Sequence, residues 1–157
     1  MKSKLVCFSE RMSKYRWYTS QLTGNNHNGL ASKIPRSLLR GTFIFKSGGR
    51  REYKKLKERA RFLVHAHLAR INQIYNFSFN RVCVKNHKSR WGSCSKKGNL
   101  NFNYKIIHLP VELAEYIVVH EICHLKELNH SSRFWALVAK AAPDYKACRR
   151  KLKAVFV

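Results

Sequence analysis

Residues 120–130 read His-Glu-Ile-Cys-His-Leu-Lys-Glu-Leu-Asn-His, the pattern H-E-x-x-H-x5-H. Four residues of α-helix turn through about 400°, so His120 and His124 project from one face, one turn apart. Two imidazoles so placed can hold a zinc ion, with His130 as the third ligand. Glu121 lies beside them, where a carboxylate can take a proton from a water that the metal has acidified. Catalytic zinc sites use three protein ligands and leave one position open, and this set has that form.

The surrounding sequence supports a buried helix. Val111–Leu128 contains neither Gly nor Pro, and Pro110 suits a helix start. Val118, Ile122 and Leu125 form one apolar stripe, and Leu113 and Ile117 lead into His120 and His124 on another. Two His and a Glu buried there without partners are costly, and a metal resolves that conflict. Asn129 suits a left-handed helix end, after which the chain can bring His130 back. Ser131 or Ser132 can cap a following helix, Arg133–Ala142. The His124–His130 spacing equals that of metzincins, which carry a Gly three residues after the second His and a later Met-turn. Here that position is Glu127 and the only methionines are Met1 and Met12, which argues against a metzincin.

Further motifs stand around the triad in a fixed order. Lys88-Ser89-Arg90-Trp91-Gly92-Ser93-Cys94 precedes it, and Asn129-His130-Ser131, Phe134-Trp135 and Pro143-Asp144-Tyr145 follow. From about Gly49 to Leu152 the chain resembles the YgjP-like metallopeptidase domain family, itself related to the SprT-like zinc proteases. The resemblance implies a compact α+β zincin-like domain with one zinc ion on His120, His124 and His130, and Glu121 as general base. Residues 1–49 lie outside it. They read as a poorly defined basic arm, and the domain is expected over residues 50–157.

Secondary structure is legible in outline. Arg51–Tyr75 has the apolar spacing of a long helix. His65 and His67, two residues apart on it, face different ways and are expected to be packed or solvated rather than ligating. Strands are expected at Phe77–Asn86, Ser89–Cys94 and Leu100–Ile106, forming a small antiparallel sheet ahead of the metal helix. Short strands are also possible at Leu5–Phe8 and Thr42–Lys46. An edge strand beside such a site can bind an extended substrate through its backbone, and Arg90, Trp91 and Gly92 are the candidate substrate-binding residues. A last helix, Tyr145–Ala154, follows Asp144 as its cap.

Composition bounds the remaining possibilities. No run of apolar residues is long enough for a membrane span. Five scattered cysteines without a C-x-x-C pair point to a reducing, cytoplasmic setting. Cys94 and Cys123 are expected to pack in the core. The net charge is +24, and residues 1–110 carry 24 basic residues against 3 acidic. Such a field attracts polyanions, so non-specific nucleic-acid contact is a candidate property. Peptide or protein is the expected substrate. A metal-dependent nucleotide phosphohydrolase, and a basic nucleic-acid-binding protein with structural zinc, are the competing readings.

Overall fold

In the computed structural model the described residues are 43–44 and 49–156. Every described residue belongs to one compact unit within residues 37–157. The expected strand at Leu5–Phe8 and most of the basic arm lie outside the described residues.

The first helix, α1, spans Arg50–Tyr75. Its buried positions are Leu56, Ala60, Leu63, Val64, His67, Leu68 and Ile71, the three- and four-residue spacing of one helical face. Asn76 ends it in the left-handed region at φ 51°, donating its backbone N–H to Asn72 O. The Asn72 amide then brackets Phe77, accepting from its N–H and donating to its carbonyl, both at 2.9 Å. This side-chain clamp stops the helix where periodicity alone would let it run on.

Three strands follow: β2 (Arg81–Lys85), β3 (Gly92–Cys94) and β4 (Asn99–Asn103). Their order is β2-β4-β3. β3 and β4 form the expected antiparallel hairpin, closed by a turn in which Gly98 adopts φ +71°. β2, however, pairs parallel to β4, with Val84 opposite Phe102, so the sheet is mixed rather than wholly antiparallel. The cause is a pinned crossover. Buried Asn103 donates to the His87 and Arg90 carbonyls at 2.8 and 3.1 Å. That clamp carries the chain across the end of β4 and sets β3 on its far side. Apolar alternation identifies a strand but not its neighbour's direction. The third strand also stops at Asn103. Residues 104–108 form a 3-10 turn whose Tyr104 and Ile106 are fully buried.

The metal helix, α2, spans Val111–Cys123 and is buried nearly all round. It ends five residues short of the expected Leu128. Asn129 is not its left-handed terminator, because Asn76 is the only described non-glycine residue with positive φ. Pro110 sits at the N-cap rather than inside the helix. Helix α3 covers Ser132–Ala141, with Ser131 as the cap that accepts from Phe134 N–H. Helix α4 covers Tyr145–Lys153. Asp144 occupies its cap position, but its side chain makes no capping bond; its carbonyl accepts from Ala147 and Cys148 N–H. A short pair, β1 (Phe43–Ile44) with β5 (Val155–Phe156), runs parallel, so part of the strand expected over Thr42–Lys46 is present.

Polar ties hold the helices in place. Tyr75 donates to Leu137 O at 2.7 Å, joining α1 to α3, and Tyr53 donates to Val84 O at 2.9 Å, joining α1 to β2. His67 is fully buried with Nδ1 3.4 Å from Glu115 of α2, and Arg70 closes a tight ion pair on the same carboxylate. His67 is thus a packed histidine, as expected, and His65 is half-buried. No helix among the described residues is long and apolar enough to cross a membrane.

Candidate metal centre

His120 stands in the last turn of α2, His124 is that helix's C-cap, and His130 lies in the loop leading to α3. The helix stops at Cys123 because the next turn tightens: Leu125 and Lys126 N–H bond to Ile122 and Cys123 carbonyls. His124 stabilises this reversal, its Nδ1 lying 2.9 Å from Glu127 O. A proton on Nδ1 donated to that carbonyl leaves the Nε2 lone pair facing the cluster.

The three rings converge. His120 Nε2 lies 3.3 Å from His124 Nε2 and 3.0 Å from His130 Nε2, and the ligating atoms fall within 4.8 Å of one another. Nitrogens held about 2.0–2.1 Å from one tetrahedral ion stand about 3.3 Å apart, so the two separations from His120 match a zinc-sized ion. Burial, then the other two imidazoles and Arg149, push His120 down to about 3. Burial, then His124 and Arg149, also lower His130. Neutral imidazoles are the ligating form. Buried His120 Nδ1 has no hydrogen-bond partner among the described residues. Aligned Nε2 lone pairs repel, and a cation among them removes the repulsion. Among the described residues no fourth His, Cys, Asp or Glu joins the group.

Phe134 backs the triad. It is fully buried, stacks on His124 at 4.5 Å and packs edge-on against His120 and His130 at 5.0 and 4.8 Å. Trp135 stacks on the exposed His130 at 5.6 Å and on Tyr145 of α4 at 5.1 Å. The only exposed member of the triad is therefore steadied by aromatic surfaces rather than by the helix.

Glu121 points to the β3 side. It is 6% exposed, and burial pushes its carboxyl up to about 8 against the opposing charge of Arg90. A cleft of about 180 Å³ opens there, with Trp91, Gly92, Tyr116, His120, Glu121 and Leu152 on its walls. Of the three candidate substrate residues, Trp91 and Gly92 line this cleft. Arg90 is exposed and acts on Glu121 through its charge. Cys94, at the end of β3, is half-buried; burial and the Glu121 charge raise its thiol to about 11, which keeps it protonated. Cys123 is fully buried, as expected.

Sequence reasoning gave Phe134, Trp135, Tyr116, Leu152 and Arg149 no part in the site. The first two had a signal: an aromatic pair four and five residues after His130, at the start of a helix that must turn back on the triad. α4 had another, since Tyr145, Cys148, Arg149 and Leu152 share one helical face.

The model of the YgjP-like, metallopeptidase domain matches residues 47–155. Among solved structures, the metallopeptidase zymogen of Pyrococcus abyssi abylysin is 27% identical, with a TM-score of 0.49, over 60% of this chain and 99% of that one. The metallopeptidase zymogen of Methanocaldococcus jannaschii jannalysin is 25% identical, with a TM-score of 0.46, over 60% and 93%. No curated protein matches the chain.

Proposed function

From its membership of the YgjP-like metallopeptidase family, to which the match over residues 47–155 assigns the chain, we propose a zinc-dependent peptidase worked by four residues. The family makes the chain a metal-dependent hydrolase of peptide or protein substrates. The geometry of the site supports the finer assignments. His120, His124 and His130 hold one zinc ion, and Glu121 is the general base. The single observation carrying this reading is the meeting of three Nε2 atoms, 3.0 and 3.3 Å apart, beside a buried carboxylate on a cleft wall.

A bound zinc supplies Lewis acidity toward water and toward the scissile carbonyl. Glu121 takes the proton of the attacking water and returns it to the amine that leaves. Its burial raises its proton affinity, which suits capture of a proton near neutral pH; a nearby dication pulls the other way. Gly92 lets β3 lie directly against this carboxylate. Among the described residues β3 is an edge of the three-stranded sheet beside α2, so an extended peptide can pair with its outer backbone, Trp91 and Gly92 forming the cleft wall. Arg90, whose charge acts on Glu121, would stabilise negative charge developing on the substrate.

The decisive experiment is Glu121→Gln. The variant should keep one equivalent of zinc and lose peptide hydrolysis by about three orders of magnitude or more. Loss of the metal instead would make Glu121 a ligand and sink the assignment.

The basic surface supports a second property, non-specific nucleic-acid contact. Arg51, Lys55 and Arg59 are exposed at four-residue spacing along α1. The four described cysteines, Cys83, Cys94, Cys123 and Cys148, are free thiols, which supports a cytoplasmic location.

A further inference from the structure

α4 is a basic helix with one misplaced cation. Its packing stripe is Tyr145, Cys148, Arg149 and Leu152, at positions i, i+3, i+4 and i+7. Tyr145 and Leu152 behave as stripe residues, the first stacked on Trp135 and the second lining the active cleft. Lys146, Arg150, Lys151 and Lys153 fall off the stripe; they and Arg149 are all exposed. Arg149 alone of the basic residues lies on it.

Its guanidinium is held over the Trp135 ring, 5.0 Å from the centroid. The same indole stacks on His130. Through that indole the Arg149 charge stands beside the triad, and Leu152, three residues on, lines the cleft. Among the described residues no carboxylate pairs with Arg149. A fixed cation beside three imidazoles gathered for a dication is unfavourable for metal binding. Such a local conflict marks a group whose partner arrives with the substrate.

The geometry points to Arg149 as the residue that selects substrates, by binding a carboxylate of the peptide beside the triad. The carboxylate belongs either to an acidic side chain next to the scissile bond or to the peptide's free C-terminus. Both give the planar, two-oxygen acceptor that a guanidinium grips with paired hydrogen bonds. Stacking on Trp135 pre-orients that fork, so less conformational freedom is lost on binding. This assignment rests on the peptidase reading for its substrate class.

The test uses the full chain as Glu121→Gln, loaded with one equivalent of zinc, and four fluorescein-labelled hexapeptides. They carry Glu or Gln at one internal position, each with a C-terminal carboxylate or amide, and binding is read by anisotropy. At least one carboxylate should give about tenfold tighter binding than its amide isostere. Following the Glu/Gln swap assigns the side chain; following the carboxylate/amide swap assigns the C-terminus. Adding Arg149→Gln should erase the preference, Arg149→Lys should keep part of it, and Arg150→Gln should leave it intact. No preference, one that survives Arg149→Gln, or one lost equally with Arg150→Gln overturns the proposal in favour of a diffuse basic field. An oligonucleotide that needs Arg149 while the peptides bind alike overturns it in favour of phosphate recognition. Cleavage of the same peptides by the wild-type chain separates the two claims. No cleavage with the binding preference intact sinks the peptidase reading and leaves the Arg149 site. Carboxylate-blind binding and cleavage sink the Arg149 site alone.

Discussion

Gly92 and Glu121 compete for one volume: a Cβ built on Gly92 would stand 2.5 Å from the Glu121 Oε1 and 2.6 Å from its Cγ. Real Cβ contacts do not come so near, so any side chain at position 92 must displace the carboxylate. Glu121 is buried between β3 and α2 and has little room to retreat. Gly92→Ala should therefore lower kcat/KM about 100-fold or more through mispositioning of the base. Overpacking should cost about 1–3 kcal/mol of stability, while zinc content stays near one equivalent. Gly98→Ala is the control. Its φ of +71° makes the substitution strained, but the nearest atom is 3.6 Å from the new Cβ and the residue is in the β3–β4 turn. It should cost about 1 kcal/mol and leave kcat/KM unchanged. Full activity in Gly92→Ala would show that the contact does not position Glu121.

This contact marks the limit of what the sequence made legible. The triad could be read because His120 and His124 are fixed by helix geometry and His130 follows within one turn and a loop. Gly92 meets Glu121 across the fold, and nothing local to either residue announces it. The same holds for β2 and β4, whose parallel pairing depends on the Asn103 clamp on His87 and Arg90. The absence of Gly and Pro also carried α2 to Leu128, with Leu125 continuing the stripe of Val118 and Ile122. The true end is set by His124, whose ring bonds to Glu127 O and turns the chain.

Phe134 touches all three imidazoles, so it should govern how firmly they are held. Phe134→Leu keeps an apolar side chain on α3 but removes the flat surface stacked 4.5 Å from His124. Zinc affinity should fall about tenfold, within the range seen when groups that orient metal ligands are removed. Stability should drop by about 1–1.5 kcal/mol. Competition with a chromogenic chelator measures the first and urea unfolding the second. Unchanged affinity would mean that the helix and loop alone fix the triad.

Each histidine should matter to the metal in its own way. His124→Ala removes a ligand and also the bond to Glu127 O that shapes the turn, so it should lose most of the zinc. His130→Ala removes an exposed ring held by Trp135 and should leave a two-histidine site with weakened binding. Metal analysis after dialysis against zinc gives the order. A wild-type chain that stays metal-free when supplied with zinc would overturn the site.

Glu115 supplies a pH-dependent tie between α1 and α2. The hydrogen bond from His67 lowers its carboxyl, burial raises it, and Arg70 lowers it further; the net shift is downward. A depressed carboxylate stabilises the fold above its unfolded pKa, and that contribution is lost as pH falls through the folded value. Wild-type stability should therefore decline below about pH 4–5. Glu115→Gln should be about 1 kcal/mol less stable at pH 7, since the carboxylate is partly exposed, with a flatter profile on acidification. Urea unfolding at pH 7, 5 and 4 tests this; parallel profiles would remove the linkage.

The exposed cations of α1 bear on where the enzyme acts. Arg51, Lys55 and Arg59 repeat along one face, with Lys54 and Arg50 beside them, so several phosphates can be neutralised at once. Each neutralised phosphate releases condensed counterions, so affinity for DNA should fall steeply and log-linearly with salt. The triple variant Arg51→Gln, Lys55→Gln, Arg59→Gln should lower that slope by about three for single-site contacts made by each. Peptide hydrolysis should be unaffected, because none of the three lines the cleft. Labelled single- and double-stranded DNA across a salt series measures the slope. An unchanged slope would move the contact to the other basic surfaces, such as Arg150, Lys151 and Lys153 of α4. No binding at low salt would reduce the charge to a solvated surface.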